Sequence, residues 1–456
     1  MPRAVASLAA LLLLAANAAE LVAGCSDFLF NSSSGSVVSG RTMDFAVDLK
    51  TVLEVIPRGT VFHDLPVAKC PHCPDFEWTS RFGFVGLNAY GMNVATDGLN
   101  EKGLSAAWLY LVGSQYPSPE TPGFNESLPV VTSIPSYILG NFASVEEVRE
   151  GLGRVQLAGY DDEFGTAILK LKTTGSAPLH VSVHDAHGKS LVIEFLDGKT
   201  VFYDNVNQVM TNDPPLNDHL AELTNRGLEF EIDSSDIPGG YGSKERFLRL
   251  SLLNHRASKG YYKPPSKASY LVATEEQRVV SDTLHLLNTV VRPPPEEATE
   301  WSVVRDHGRR MLYVQSTQNQ LLRRVDLNMF DFADKHARRF IPVTFGNWFF
   351  DITLPLMDDG NKAKTLDVPP RSKIEELLEG HGGGEALASE VVNSFTASKR
   401  TQPVAVKPEA EADVASLSTV PVFIAGCLCG MIVPAVMFVG WKISNDMSRR
   451  RGYHAI

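Results

Sequence analysis

From Cys25 to about Leu356, short segments of alternating apolar and polar residues are separated by polar turns. Leu179-His180-Val181-Ser182-Val183 and Ser190-Leu191-Val192-Ile193-Glu194-Phe195, joined through Asp185-Ala186-His187-Gly188, predict a β-hairpin. Residues 82–87 and 106–111 read as further strands, and 311–316 with 321–327 as another pair. Residues 25–30 and 37–43 flank the turn Asn31-Ser32-Ser33-Ser34-Gly35 and predict a strand–turn–strand. At 145–152 and 245–254 apolar residues recur every three or four positions, the period of a helix. Strands and helices mixed within one stretch, long enough for a single large core, imply a layered α+β fold.

The two ends break this pattern. Residues 1–24 open with Arg3, continue as an almost unbroken Ala/Val/Leu run over 4–16, and reach Val22 and Gly24, small enough for the −3 and −1 positions of a signal-peptidase site. That run is too short to cross a bilayer, which takes about 20 residues. Residues 420–441 are apolar, uncharged and long enough to cross. Arg449-Arg450-Arg451 follows, a basic flank of the kind that stays cytosolic, and Pro434 inside the run is tolerable in a membrane helix. Between them, Pro369-Pro370, Gly382-Gly383-Gly384 and a Lys/Glu/Ala/Pro mixture poor in aromatics read as a stalk, with 374–378 as a short helix. The expected order is a signal peptide (1–24), a main domain (25–356), a low-complexity stalk (357–419), a transmembrane helix (420–441) and a short basic cytosolic tail (442–456). This describes a single-pass type I membrane protein whose main domain is extracellular or lumenal.

Charge and cysteine usage narrow the function. A net charge of −11 argues against a nucleic-acid partner. Asn31-Ser32-Ser33 and Asn125-Glu126-Ser127 are sequons for glycosylation in a secretory setting. Cys70-Pro71-His72-Cys73 matches a redox dithiol, but it sits between Pro66-Val67-Ala68-Lys69 and Pro74-Asp75 rather than between a strand and a helix. A structural disulfide, a metal half-site, a redox pair and free thiols all stay open there. Cys427 and Cys429 read as apolar filler of the membrane run, and His381-Gly382-Gly383-Gly384, with no Gly-x-Ser-x-Gly elbow in the chain, as linker.

Cys25 carries the candidate chemistry. Cleavage after Gly24 leaves it at the mature N-terminus with a thiol and a free α-amine on one residue, which together are a nucleophile and its base. The α-amine has an ordinary pKa near 7.7–8.0. Such a site needs a carboxylate to hold the amine, a cation to favour the thiolate and donors to meet an oxyanion. Arg41 and Asp44 have the right types, and the strand–turn–strand brings them back beside Cys25. Leu21-Val22-Ala23-Gly24-Cys25 also fits a bacterial lipoprotein junction, and a plain buried or disulfide-bonded cysteine is the third reading. The second anchor at 420–441 and the strand that begins at once after Cys25 count against a lipid anchor.

Several blocks in order across about two-thirds of the chain resemble the choloylglycine hydrolase and penicillin V acylase family of N-terminal-nucleophile hydrolases. They are the Cys25 junction, Gly40-Arg41-Thr42-Met43-Asp44, Asp97-Gly98-Leu99-Asn100-Glu101-Lys102-Gly103-Leu104, Thr211-Asn212-Asp213-Pro214-Pro215 and Glu245-Arg246-Phe247. The resemblance implies a four-layer αββα sandwich and hydrolysis of a linear amide through an acyl-enzyme on Cys25, with no cofactor or metal. By position it makes Cys25 the nucleophile and base. Arg41 stabilises the thiolate, Asp44 holds the α-amine, and Arg246 completes the charge network. Asn212 gives its side-chain N–H to the oxyanion, and Tyr110 gives its backbone N–H. Tyr110, where bile-salt hydrolases tend to have Asn, leans toward penicillin V acylases. Lys244-Glu245 stands where Val-Ser is common in the family, and the stalk and anchor are absent from its usual soluble members.

The implied partner is a small-molecule amide with an apolar acyl or amine part, and the resemblance allows a homo-oligomer. Trp78, Tyr90, Trp108 and Tyr110 are the candidate pocket aromatics. Alternatives are a ceramidase-like N-acyl amidase, a non-catalytic surface module, and a thiol oxidoreductase using Cys70 and Cys73.

Overall fold

The computed structural model describes residues 24–357, except 47, 65–66, 68–69, 71–72, 74–75, 93, 161–175, 227–236, 261–273, 295–297 and 337. The chain divides between residues 358 and 359 into two units, and the described residues belong to the first. The expected signal peptide up to residue 23, the stalk from 358, the helix at 374–378, the membrane run, Cys427, Cys429 and the basic tail lie outside the described residues. Among the described residues, no helix is long and apolar enough to cross a membrane.

Two antiparallel sheets form the centre. The first has six strands in the order β14 (Val209–Met210), β1 (Ser26–Asn31), β2 (Val37–Asp44), β15 (Thr299–Asp306), β16 (Met311–Ser316) and β17 (Arg323–Asp326). The second has eight, β13 (Lys199–Asp204), β12 (Ser190–Leu196), β11 (Leu179–His184), β8 (Ser105–Tyr110), β7 (Ala95–Asn100), β6 (Phe84–Asn88), β3 (Val52–Ile56) and β18 (Arg339–Pro342). Two short ribbons complete the strands: β4 (Val61–His63) with β5 (Glu77–Thr79), and β9 (Val130–Val131) with β10 (Gln156–Leu157). Helices α4 (Ser243–Ser258) and α5 (Glu275–Asn288) pack on β1, β2, β14 and β15. Helix α1 (Ile134–Asn141) packs on β6, β7 and β8 of the other sheet. Helices α2 (Val145–Leu152), α3 (Leu216–Asn225) and α6 (Thr353–Met357) complete the set.

Strand alternation sorts the side chains between layers. Asp27, Arg41 and Arg305 point from the first sheet toward Asp97 and His184 on the second. Trp301 lies under the Arg41 guanidinium in the same layer. The opposite faces meet the helices, and two glycines permit the approach. A Cβ on Gly40 would come within 2.8 Å of the Phe28 ring and 3.2 Å of Thr283 on α5, and one on Gly98 within 2.6 Å of Leu139 on α1. On the outer face of the second sheet, Trp108, Val181, Val183, Ile193 and Phe195 form a separate apolar cluster with Ile138 and Leu139 of α1.

The predicted hairpin forms as β11 and β12, with Val181 opposite Ile193 and the turn closed by the Asp185 side chain, which accepts from the backbone of His187 and Lys189. The strand expected from residue 82 begins at Phe84, because Arg81 and Phe82 donate their backbone N–H groups to the Gly140 carbonyl instead of to a strand. The strand expected from residue 321 begins at Arg323. The expected helix at 245–254 extends over Ser243–Ser258. Helix α1 carries no amphipathic signal, because Ile134, Pro135, Ser136, Ile138, Leu139 and Gly140 are all buried, and a helix covered on most sides has no polar stripe to betray its period.

His307 sits at the end of β15 in this interior. Its Nδ1 faces the Gly103 carbonyl at 2.8 Å and its Nε2 faces the Ser39 hydroxyl at 2.8 Å. A carbonyl only accepts, so Nδ1 carries a hydrogen. Burial, assisted by the neighbouring His184, pushes its pKa down to about 3. The unfolded chain takes up a proton near pH 6.5 that the folded ring refuses until about pH 3. Stability is therefore lost as the pH falls below about 6.5, by up to about 1.4 kcal/mol per pH unit. Between pH 7 and pH 4.5 the urea midpoint of the parent is expected to lose more, or gain less, than that of His307→Gln, by one proton's share; identical pH dependence refutes the assignment.

Candidate active site

Cys25 stands immediately before β1. Antiparallel pairing of Ser26 with Thr42 and of Asp27 with Arg41 folds β2 back so that its end lies against Cys25. The thiol Sγ is 3.8 Å from the Asp44 carbonyl oxygen, 3.8 Å from Met43 Sδ and 4.0 Å from Arg41 Nη2. Burial raises the thiol pKa above its ordinary value, against the opposing charge of Arg41. With Gly24 still attached, Cys25 is therefore a protonated thiol at neutral pH.

Arg41 is fixed on several sides. Nη1 is 3.1 Å from Asp97 Oδ2, Nη2 donates to the Trp108 carbonyl, and the guanidinium lies 5.0 Å from the centre of the Trp301 ring. Asp44 accepts a hydrogen bond from the Thr299 hydroxyl at 2.6 Å on Oδ1. Its Oδ2 is buried with no hydrogen-bond partner among the described residues. Burial lifts its pKa to about 6, with Arg246, the Thr299 hydroxyl and Arg292 pulling the other way. Gly24 lies between those same cations: a Cβ there would run into Arg292 and come within 3.0 Å of Arg246 Nη2.

Arg246, in the first turn of α4, ties the remaining pieces together. Its Nη1 donates to the Cys25 carbonyl and the Ser26 hydroxyl, both at 2.6 Å, and its Nη2 donates to Asn212 Oδ1 at 2.9 Å. Burial lowers its pKa to about 10, with Asp44 opposing, so it stays a cation at neutral pH. Asn212 gives one Nδ2 hydrogen to the Tyr110 carbonyl at 2.8 Å, and an amide carries a second. The Asn212 backbone is held by the Ser243 hydroxyl, 2.9 Å from its N, and by His219 Nε2, 3.0 Å from its O. Burial lowers His219 to about pKa 4, so this ring is neutral and donates.

The structure thus gathers all six sequence-derived residues, Cys25, Arg41, Asp44, Tyr110, Asn212 and Arg246, into one buried cluster. The aromatics divide differently. Trp78 stacks on Phe62 at 4.2 Å, and both it and the Trp108 side chain lie in the apolar cluster on the outer face of the second sheet. This corrects the expectation that they line a pocket at Cys25: strand alternation turns the Trp108 side chain away and leaves only its carbonyl on the site. Tyr90 packs, partly buried, against the larger inner cluster. Cys70 and Cys73 are joined in a disulfide, which settles the state left open for that pair. Sequence reasoning missed Asp97, Thr299, Trp301 and His219. Asp97 lies in a block already noticed, but nothing in the linear pattern pairs it with a cation 56 residues earlier. Asn100 in the same block caps the β7–β8 turn and ties it to α1 through the carbonyls of Leu139 and Phe142.

Two helix-covered antiparallel sheets with a cysteine at the head of a central strand define an N-terminal-nucleophile-hydrolase-like α+β sandwich, and known structures support it. A penicillin V acylase from Agrobacterium tumefaciens superposes with a TM-score of 0.54 at 26% identity, over 68% of this chain and 89% of the other. A conjugated bile acid hydrolase from Clostridium perfringens shares the fold with a TM-score of 0.54 at 21% identity, over 71% and 97%. In sequence, a penicillin V acylase from Pectobacterium atrosepticum is 29% identical over 321 residues, 65% of this chain and 79% of that protein. A bile salt hydrolase/transferase from Clostridium perfringens is 27% identical over 252 residues, 50% and 71%. The family model of linear amide C–N hydrolases, choloylglycine hydrolase family, matches residues 25–336. The chain belongs to this family and is a linear amide C–N hydrolase.

The strained state of Asp44 has a measurable consequence. Its carboxyl loses a proton near pH 3.8 when unfolded but only near pH 6 when folded. Rising pH therefore favours the unfolded state across that window, and the deficit persists above it. Asp44→Asn is expected to stabilise the uncleaved chain at pH 7 by up to about 3 kcal/mol, and by nothing below about pH 3.8. Urea unfolding of both proteins at pH 3.5 and pH 7 checks this; equal stability at pH 7 rules it out.

Proposed function

We propose that Cys25 is an N-terminal nucleophile, freed by cleavage after Gly24, that hydrolyses a small linear amide through an acyl-enzyme. The observation that carries the reading is Asp44 Oδ2, a buried carboxylate oxygen without a partner, in a carboxyl acted on by the same two cations that flank Gly24. Cleavage converts the Cys25 amide nitrogen into an amine whose charged form offers Asp44 the donor it lacks.

In the mature site the α-amine takes the thiol proton, and the new ammonium balances the thiolate. Arg41, 4.0 Å from Sγ, favours that thiolate. Sγ attacks the amide carbonyl carbon, and the oxyanion meets the second Nδ2 hydrogen of Asn212 and the backbone N–H of Tyr110. Arg246 holds the Asn212 amide oxygen at 2.9 Å and so fixes which way its N–H groups point. Collapse of the intermediate breaks the C–N bond, the ammonium returns the proton to the leaving amine, and water then releases the acid. The substrate is an amide with an apolar acyl or amine part. Tyr110 favours penicillin V-type acyl amides over bile salts. The hydrolase works outside the cytosol, tethered by the apolar run at 420–441.

Mass spectrometry of the mature protein is expected to find Cys25, unmodified, as the first residue; a blocked or upstream start refutes the mechanism. Cys25→Ala is expected to lower amide hydrolysis by on the order of a thousandfold or more, and Cys70→Ala to leave it within about threefold. A panel of penicillin V, conjugated bile salts, N-acyl amino acids and acyl-homoserine lactones reads the substrate class. For the anchor, the full chain is expected in the alkaline-carbonate-resistant membrane fraction, and a chain ending at residue 357 in the supernatant. Full-length protein in the supernatant overturns the tether.

A further inference from the structure

We propose that Asp97 and Arg305 are positioning residues of this hydrolase, which act on Cys25 through Arg41. The proposal rests on the reading of Cys25 as nucleophile and adds two groups that it does not use.

Between the two sheets runs a chain of four charged side chains, each 0% exposed. Asp27, two residues after the nucleophile on β1, accepts from Arg305 Nη2 at 2.9 Å and 3.0 Å on its two oxygens, and His184 Nε2 stands 3.1 Å from Oδ1. Arg305 Nη1 lies 3.4 Å from Asp97 Oδ1, an ion pair without a hydrogen bond. Asp97 Oδ2 accepts from Arg41 Nη1 at 3.1 Å, and Arg41 Nη2 faces Cys25 Sγ. The chain therefore joins three strands of one sheet to β7 of the other and ends on the thiol.

Each link has a distinct task. Burial raises the Asp97 pKa above the ordinary carboxylate value, with Arg305 and then Arg41 opposing it. Asp27 is held well below the usual carboxylate range, because Arg305 and His184 outweigh its burial, and so it anchors Arg305 as a cation. Arg305 in turn opposes the protonation of Asp97, and Asp97 fixes the Arg41 fork. Each guanidinium faces a carboxylate, so the array holds Arg41 in place by pairing rather than by packing alone. Arg246 and Asp44, the other ionised pair at Cys25, stand on the helix side and are not members of the chain.

An asparagine at position 97 breaks the chain at one point. Its amide offers oxygen to one guanidinium and turns N–H groups toward the other, and donors do not pair with donors. Arg305 keeps two bonds to Asp27, so Arg41 is the group released. Its remaining holds are the Trp108 carbonyl, the Trp301 ring and the Met43 sulfur.

The test uses the mature enzyme and two readouts: kcat and KM on an amide it hydrolyses, and the pH dependence of Cys25 alkylation by iodoacetamide. Asp97→Asn is expected to lower kcat at least about tenfold with KM within about threefold, and to raise the alkylation midpoint by at least about half a pH unit. In the background of Arg41→Gln, Asp97→Asn is expected to cost no more than about twofold further, because the two act through one contact. Multiplying costs, or an alkylation profile identical to the parent's, overturn the proposal. If Asp97→Asn does not fold, Arg305→Lys, which keeps the charge and loses the fork, is expected to move both readouts the same way by less; no movement refutes the proposal equally. Activity that survives Cys25→Ala sinks the nucleophile reading instead, so the two failures are distinguishable.

Discussion

The antiparallel pairing of β1 with β2 is the constraint on which the rest of the site depends. It places Asp27 opposite Arg41 and Ser26 opposite Thr42, and so brings the Arg41 guanidinium and the Asp44 backbone carbonyl, 16 and 19 residues distant in sequence, against one thiol. Strand alternation then decides what each residue meets. Arg41 turns inward to the second sheet, whereas Ser26 meets Arg246 on α4. A one-residue slip of this register would exchange the two faces and leave buried charges without partners, which is costly enough to exclude the alternative.

The layered architecture also explains how so many ionised groups persist in an interior. Burial alone favours neutral forms of Cys25, Asp44, Asp97 and Arg246, and each is opposed by a named charge. Where the opposition is complete, as at Asp27, the group is a fixed anchor. Where it is incomplete, as at Asp44, the group is poised to gain a partner. In the folded chain that carries Gly24 the thiol is protonated and the Asp44 carboxyl keeps one buried oxygen without a hydrogen-bond partner among the described residues.

Much of the fold was legible in the alternation of apolar and polar residues. The β11–β12 and β16–β17 pairs, the β1–β2 strand–turn–strand and the helices at α2 and α4 follow from local pattern and turn chemistry. Helix α1 was not legible, since burial on most sides removes its period. Trp78 and Trp108 misled, because an aromatic near a site in sequence says nothing of the face it occupies; the layer decides that. That Cys25, Arg41, Asp44, Tyr110, Asn212 and Arg246 lie together was legible through blocks that resemble a family, each a short recognisable segment. Asp97, Thr299 and Arg305 were not, because their partners are 56, 255 and 278 residues away.

By itself, the sequence determined the alternating strands and the short blocks that mark the family, since those depend on local periodicity and short motifs. Only the tertiary structure decided which charges neutralise which, because ion pairing in a dry interior depends on register between strands and on the meeting of two sheets. The sequence supplies Cys25, Arg41 and Asp44. The fold supplies the second row of charges around Arg41 and leaves one buried oxygen of Asp44 without a hydrogen-bond partner among the described residues.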